Sequence, residues 1–273
     1  MTDFHVFAGA GSIGEHRPAV RRIEIGDIYD ILMRGVEDFR RKPSHVIFIA
    51  IIYPIVGVVL ARWSSGAAAP QLVFPLISGF ALIGPFAALG LYEISRRFER
   101  GQDPTWRDAL EVRHSPAMPG ILVLGLGLIL FLLAWLAAAE ITYRWAFDGL
   151  RFDGLFAFLG EVLTTQRGWL MMLVGNALGF VFAAVVLALT LVAFPMMLDR
   201  DSGVVTAIET SWRVTTANPG PIAVWGLVVA IGLVLGSLPL FAGLAIVMPV
   251  LGHATWHLYR ATVVPDEMRR AAS

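Results

Sequence analysis

The stretch PGILVLGLGLILFLLAWLAAA, residues 119–139, contains no charged side chain and is long enough to cross a bilayer. A helix rises about 1.5 Å per residue and the hydrocarbon layer is about 30 Å thick, so a crossing needs roughly 20 mainly apolar residues. Five further runs, on either side of this stretch, meet the same requirement. The sequence therefore predicts an all-α, polytopic bundle of six transmembrane helices, at residues 44–61, 72–92, 119–139, 169–198, 221–237 and 238–259.

The composition places the chain in a membrane. Hydrophobic residues make up 57% of it and charged residues 15%, whereas a soluble domain has about 45–50% and about 25%. The formal net charge of zero argues against a nucleic-acid partner, because binding to phosphates needs a basic face. The chain has no cysteine, which excludes disulfides and thiolate sites. The lipid bilayer is the predicted partner.

The six spans fall into three pairs, and an amphipathic stretch that ends in proline precedes each pair. This pattern predicts a transmembrane domain, residues 23–262, built from three hairpin repeats at approximately 27–100, 103–200 and 201–260. All three repeats enter the membrane from the same side, so the repeat is parallel. Residues 1–22 and 263–273 are predicted to be tails.

The amphipathic stretches predict interfacial helices that lie on the membrane surface. The expected starts are Asp27 in the first repeat, Asp103 with Pro104 in the second, and Asp201 or Ser202 in the third. The second span of each repeat contains a proline, at Pro85, Pro195 and Pro249. Since proline removes a helical hydrogen bond, each of these spans is expected to be kinked.

Loop charges predict the orientation. The segments on the N-terminal side hold Arg96, Arg97, Arg100, Arg107, Arg113, Arg200, Arg213, Arg260, Arg269 and Arg270. The other side holds Arg62, Arg144, Arg151 and Arg167. Because cytoplasmic loops carry an excess of arginine and lysine, both termini are predicted to be cytoplasmic.

Several short motifs point to a known family. They are GPF at 84–86, GLYE at 90–93, SRR at 95–97, NP at 218–219, WG at 225–226 and GHATWHLYR at 252–260. With them the chain resembles, over roughly residues 20–262, an uncharacterised bacterial family of predicted integral membrane proteins, a domain of unknown function. The resemblance implies a multi-pass protein of the bacterial inner (plasma) membrane. Some members are labelled cytochrome c oxidase subunits, which implies a respiratory setting. The chain lacks the several intramembrane histidines of a catalytic oxidase subunit, so the resemblance implies at most an accessory or assembly component.

His253 and His257 are the strongest candidates for chemistry. Four residues apart on a helix, their rings share one face, as in a helical two-histidine metal pair. Haem or a divalent metal is the ligand class that this pair would take, although no third ligand lies nearby in sequence. In the alternative interpretation, the two histidines form hydrogen bonds to neighbouring helices at the inner interface.

A second candidate site gathers charges at one inner mouth of the bundle. Its members are Glu93, Arg96, Arg97, Asp199, Arg200 and Arg260. If rotation relates the three repeats, carboxylates and guanidinium groups pair across helices there. The group would act as an entry for substrate or protons, or as a lock between hairpins.

Three functions are compatible with these features. A non-catalytic accessory, scaffold or assembly component of a membrane complex accounts for most of them. A transporter or permease for a small or lipid-like solute accounts for the kinked helices and the charges at the mouth. Haem or metal binding depends on His253 and His257 alone. No set of residues in the sequence indicates an enzyme.

Small residues occur four apart at Gly175 with Gly179 and at Gly232 with Gly236. They allow close contact between helices or between copies in an oligomer.

Overall fold

A computed structural model of the chain describes residues 18–44, 70–72, 74–76, 84–239 and 241–264. The first predicted span, 44–61, lies outside these residues except at Ser44. Most of the first half of the second span lies outside them as well, and so do most of the two predicted tails.

The described part of the chain is helical, which confirms the all-α class. Its α-helices are α1 Asp27–Arg41, α2 Gly84–Ala87, α3 Leu89–Glu99, α4 Trp106–Leu110, α5 Met118–Phe147, α6 Leu155–Thr164, α7 Gln166–Thr190, α8 Ala193–Arg200, α9 Val204–Ala217, α10 Pro219–Ser237 and α11 Leu244–Thr262. Short 3-10 turns occur at Pro70–Leu72 and Glu111–His114. An isolated antiparallel bridge joins Val20 to Val263.

Three helical segments are long and apolar enough to cross a membrane, within the ranges that the structure covers. They are Met118–Phe147, Gln166–Arg200 and Pro219–Ser237, and they coincide with the third, fourth and fifth predicted spans. Helix α11 covers most of the sixth, but His253, His257 and Arg260 lower the mean hydropathy of its second half. The count of six spans and the repeat boundaries stay predictions.

The fourth predicted span is broken, as its proline indicates. Helix α7 ends at Thr190 and α8 begins at Ala193, because Pro195 has no N–H and its ring crowds the carbonyl of Leu191. The side chain of Ser211 in α9 lies at the break. Its hydroxyl donates to the carbonyl of Ala188 at 2.9 Å and accepts from the N–H of Val192 at 3.4 Å. Two backbone groups near the break are therefore bonded by a neighbouring helix.

Two of the helices that are predicted to be interfacial begin later than expected. Helix α4 starts after Thr105, because Asp108 accepts hydrogen bonds from the backbone N–H and the hydroxyl of Thr105. Helix α9 starts after Gly203, since Asp201 has a left-handed backbone, φ 50°, and ends α8. In both cases the residue before the first helical turn lies after the predicted aspartate: it is Thr105 in α4 and Gly203 in α9.

The turn before α11 is longer than predicted. A tight turn was expected around residues 236–239, with the sixth span starting at 238. Instead α10 ends at Ser237 and α11 begins at Leu244, with Phe241 at a left-handed φ of 65°.

The chain divides into two compact units. Among the described residues, unit 1 comprises 18–44, 84–125, 187–239 and 241–264, and unit 2 comprises 70–72, 74–76 and 126–186. In unit 1, α1 packs closely on α11: a Cβ added at Gly35 would lie 2.6 Å from the Cβ of Ala254 and 2.7 Å from the carbonyl oxygen of Val250. Trp225, Trp256, Tyr92 and Tyr259 are fully buried in the same unit.

The two ends of the described chain pair with each other in unit 1. The N–H of Arg21 donates to the carbonyl of Thr262 at 2.8 Å, and the N–H of Val264 donates to the carbonyl of Ala19 at 3.0 Å. Asn218 ties the same N-terminal segment to the junction of α9 and α10, because its side-chain oxygen accepts from the N–H of Ile23 at 2.8 Å.

Unit 2 has an aromatic core of its own. Tyr143 and Phe147 at the end of α5 pack against Phe158 and Val162 of α6. Elsewhere in the unit, the indole N–H of Trp135 donates to the carbonyl of Pro75 at 2.9 Å.

Candidate functional site

Helices α1, α3 and α11 meet around a buried polar cluster. Four residues along α1, at Ile28, Ile31, Gly35 and Asp38, are buried at spacings of three and four. These spacings place them on one helix face, so the face that packs on α11 carries a carboxylate into the core. Asp38, Ser95, His253 and His257 form what we call the Asp38 network.

The four side chains form one chain of hydrogen bonds. The hydroxyl of Ser95 donates to Oδ2 of Asp38 at 2.7 Å, and Nε2 of His257 lies 2.8 Å from the same oxygen. Nδ1 of His253 lies 2.8 Å from Oγ of Ser95. A serine hydroxyl has one proton, which here goes to Asp38, so His253 donates from Nδ1 to Ser95. The other ring nitrogen of His253 is buried without a hydrogen-bond partner in the described structure.

Asp38 is held as an anion in this setting. Only 5% of its surface is exposed, and none of the surface of Ser95 or His253. Burial alone would raise the pKa of Asp38, but the hydrogen bonds from His257 and Ser95, together with the nearby histidine charges, lower this pKa below its ordinary value. A buried carboxylate of this kind needs such donors, because an unpaired charge in a core is strongly destabilising.

The order of the bonds decides what the network can do. In a catalytic triad a histidine takes the proton of the serine hydroxyl and so activates it for attack. Here Ser95 gives its proton to a carboxylate and receives one from His253. The arrangement therefore joins three helices and provides a continuous hydrogen-bonded path, and it does not prepare Ser95 as a nucleophile.

Both histidines singled out from the sequence lie in this network. Nδ1 of His253 is bonded to Ser95, and Nε2 of His257 is bonded to Asp38. Among the described residues, no group of three or more His, Asp and Glu side chains is placed to hold a metal ion. Metal or haem binding by this pair stays a prediction.

A second network lies at helix ends in unit 1. Glu93 is buried, with 3% of its surface exposed. Its carboxylate contacts Arg96 and accepts a hydrogen bond from Nε of Arg97 at 2.7 Å. Arg97 also donates to Asp108 and to Glu111, each at 2.6 Å. Arg97 thus binds three carboxylates, and the hydrogen bond that it donates to Glu93 is the largest effect raising the pKa of Arg97.

The other three predicted charges lie in a connected group. The phenol of Tyr259 donates to Asp199 at 2.8 Å and accepts from Nε of Arg200 at 2.9 Å. Arg260 lies 3.4 Å from Asp199 and 2.8 Å from Glu99. The two groups are joined by Arg96, which donates to the carbonyl of Leu198 at 2.9 Å. We call the residues of both groups the charge network; its members are Glu93, Arg96, Arg97, Glu99, Asp108, Glu111, Asp199, Arg200, Tyr259 and Arg260.

Sequence reasoning missed Asp38, Ser95 and Glu99. Asp38 had a signal, because it is a charged residue at helical spacing on an otherwise apolar stripe. Glu99 binds Arg260 and accepts from the indole of Trp256 at 3.2 Å, partners more than 150 residues away in sequence. No local pattern identifies a contact across that separation.

A cleft of about 840 Å³ opens beside the charge network. It is lined by the end of α3, by residues 107 and 110–116, and by residues 198–201. Most of its lining is charged or polar, and Leu110 is among its apolar residues.

Comparison with known proteins supports the membrane assignment. No curated protein and no solved structure gives a significant match. A family model described as "Predicted integral membrane protein (DUF2189)" matches residues 73–199, a segment that includes the GPF, GLYE and SRR motifs and two of the three apolar segments described above. The resemblance predicted from the sequence is confirmed over residues 73–199, where the chain matches this uncharacterised family of predicted integral membrane proteins.

Proposed function

We propose that the protein is a six-span protein of the bacterial inner membrane, with both termini cytoplasmic, that serves as a non-catalytic scaffold or assembly component of a membrane complex in a respiratory setting. The observation that carries this proposal is the large number of hydrogen bonds and ion pairs among the polar side chains of unit 1. In the Asp38 network and the charge network they bind one another across helices, as a fixed platform requires.

The extent of the cross-linking supports a rigid platform. Arg97 connects α3 to α4 and to the 3-10 turn after it, Arg260 connects α11 to α3 and α8, and Asp38 connects α1 to α3 and α11. Bidentate and charge-assisted bonds of this type fix geometry as well as adding energy. A scaffold needs such fixed geometry.

The pairing of the chain ends supports the proposed topology. Residues near 20 and near 263 form backbone hydrogen bonds with each other, which supports placing both on one side of the bilayer with an even number of crossings between them. The excess of arginine on that side favours the cytoplasm. The three parallel hairpins are part of the same proposal: α1, the α4 segment and α9 each precede a predicted span.

The apolar surface of the spans offers room for a partner. Helix α10 has 17% of its most apolar 18-residue window buried within the chain. Leu227, Ile231 and Val234 are 59%, 49% and 63% exposed. In a membrane such a surface meets lipid or a neighbouring subunit, and tight helix contacts between subunits use the same packing forces as contacts within one.

Photo-crosslinking in cells tests the scaffold proposal. A benzophenone amino acid replaces Leu227 or Val234 on α10, and a control replaces Leu130 on α5, which is similarly exposed at 59%. We expect one discrete protein adduct from the α10 positions, absent from the control, and recovery of the same protein after purification in mild detergent. Solitary protein with lipid adducts alone would rule the proposal out.

Transport is a second candidate, favoured by the helix breaks. Helices are interrupted at Ala88, near Pro85, and at 191–192, near Pro195, whereas α11 continues through Pro249. Broken helices line binding sites in many carriers. Flux of a small or lipid-like solute into vesicles containing only this protein would support transport over a scaffold role. Haem or metal binding at His253 and His257 is a third candidate, favoured by the unpartnered Nε2 of His253. Elemental and absorbance analysis of the purified protein beside a His253→Ala, His257→Ala variant tests it.

A further inference from the structure

The cleft beside the charge network has a cationic excess. Its charged lining consists of five arginines and four carboxylates. Three of these arginines are occupied: Arg96 and Arg97 bind Glu93, and Arg200 binds Tyr259. Arg107 and Arg113 are exposed, and among the described residues no carboxylate pairs with either of them. Two unpaired guanidinium groups on one wall provide charge for an anion.

The two exposed arginines can bind a phosphate directly. The guanidinium groups of Arg107 and Arg113 offer donors in a planar fork that matches phosphate oxygens. Asp201 is the carboxylate on the opposing wall for which no ion pair is described, so the balance of unpaired charge in the cleft is positive.

An apolar side chain next to these charges indicates the kind of anion. Leu110 lies between Arg107 and Arg113 in sequence, lines the same cleft and is 65% exposed. The segment leads within a few residues into α5 at Met118, where the chain is predicted to enter the bilayer. A surface with arginines beside an exposed leucine at this level fits a lipid, with its phosphate on the arginines and its acyl chain on the leucine.

We infer that this cleft binds the phosphate headgroup of an anionic phospholipid from the cytoplasmic leaflet. Arg107 and Arg113 provide the attraction and the hydrogen bonds to the phosphate, and Leu110 contacts the lipid chain. The inference goes beyond the proposed scaffold role. It requires that these helix ends lie at the membrane surface, and it does not require a protein partner.

Native mass spectrometry of the purified full-length chain tests the inference. The protein is mixed with phosphatidylglycerol or with zwitterionic phosphatidylethanolamine at equal concentration. We expect clear preference for phosphatidylglycerol. In an Arg107→Gln, Arg113→Gln variant we expect retention of phosphatidylglycerol to fall on the order of 30-fold, from about fivefold for each surface arginine. Equal retention of the two lipids by the unmodified protein, or unchanged retention by the variant, would overturn the inference.

Two control variants separate the site from general charge and from misfolding. Arg151→Gln with Arg167→Gln removes the same charge outside the cleft and should leave retention unchanged. Arg107→Lys with Arg113→Lys preserves charge and should keep most of the binding; loss of binding in this folded variant would contradict an electrostatic site. Inorganic phosphate at millimolar concentration serves as the competitor. If it displaces phosphatidylglycerol, the cleft binds free phosphate and the lipid assignment is wrong.

Discussion

Asp38 shows how a single residue can bind three helices together. A carboxylate on the packed face of an amphipathic helix destabilises a core unless donors meet it. Ser95 and His257 supply two donors to the same oxygen, and His253 completes the chain through Ser95. The stability of unit 1 should therefore depend on the charge of this one side chain.

Replacing Asp38 with Asn should destabilise the protein. The substitution keeps the shape but leaves Ser95 and His257 facing a neutral amide, and a buried polar group that loses its partner costs about 1–3 kcal/mol. The measurement is the thermal unfolding midpoint in detergent. The control is Glu37→Gln on the exposed face of the same helix, which should leave the midpoint unchanged. Equal midpoints for all three proteins would show that the network contributes no stability.

The contribution of Asp38 should also depend on pH. Its pKa is lowered in the folded protein, so the folded state favours the ionised carboxyl. The resulting stabilisation is fully present above the ordinary aspartate pKa of about 3.9 and is lost as the pH falls through the lowered folded pKa. The difference in unfolding midpoint between the unmodified protein and Asp38→Asn should narrow as the pH falls from about 4 through the lowered pKa of Asp38. A constant or widening difference would contradict an ionised Asp38.

At the level of helices, close packing and broken backbones shape the fold. Helix α1 lies against α11 because Gly35 has no side chain, and α9 supplies a hydroxyl to the break between α7 and α8. Both contacts join elements that are distant in sequence. Each gives a prediction about one pair of helices.

Gly35→Ala should loosen α1 from α11. A Cβ at this position would lie 2.6 Å from both the Cβ and the backbone nitrogen of Ala254, so one helix must move. Overpacking of this kind costs about 1–3 kcal/mol, partly offset by the better helix propensity of alanine. Unfolding midpoints measure the loss. Gly127→Ala, where nothing lies within 4 Å of the added Cβ, should be neutral or stabilising. A Gly35→Ala protein as stable as this control would mean that the helices are not in close contact.

Ser211→Ala should weaken the junction of α7 and α8. The change removes the donor to Ala188 and the acceptor for Val192 in a buried place, with an expected loss of about 1–3 kcal/mol. Faster hydrogen exchange at the N–H of Val192 gives a local measure. Thr216→Ala on the exposed side of α9 is the matched control. Unchanged exchange in the Ser211 variant would show that the hydroxyl does not hold the break.

Local signals explain which elements could be predicted. Uninterrupted apolar length indicated α5, α7 and α10, because a bilayer sets the length of a span. Pro195 indicated the break, since proline cannot donate the helical hydrogen bond, but the same signal at Pro249 lies within the continuous helix α11. Helix starts could be predicted less closely, because several capping residues stand close together: α4 starts after Thr105 where Asp103 is predicted, and α9 starts after Gly203 where Asp201 or Ser202 is predicted.

Only two of the four residues of the Asp38 network, His253 and His257, could be predicted from the sequence, for a related reason. The spacing of His253 and His257 indicated a shared face, but their partner Asp38 lies 219 residues before His257. Such a contact depends on how α1 packs on α11, and helix packing is not encoded in a local period. The buried face of α1 did contain a signal, because Asp38 is charged at a position where apolar residues are the rule.

At the scale of the whole molecule, the account depends on topology. The paired ends near residues 20 and 263, the arginine excess of the N-terminal side and the apolar length of the spans all favour an even number of crossings with both termini in the cytoplasm. The scaffold role and the lipid cleft both require that the charged helix ends of unit 1 face that compartment.

Cysteine accessibility tests this topology most directly, because the chain has no cysteine of its own. Single substitutions are made at Thr2, Gln102 and Ser273, predicted to be cytoplasmic, and at Ser65, Asp153 and Leu238, predicted to face outward. Intact cells are treated with a membrane-impermeant maleimide, and a permeabilised sample serves as the reference. We predict labelling of the second group in intact cells and of the first group only after permeabilisation. Labelling of Thr2 or Ser273 in intact cells would contradict the proposed topology and the functions argued from it.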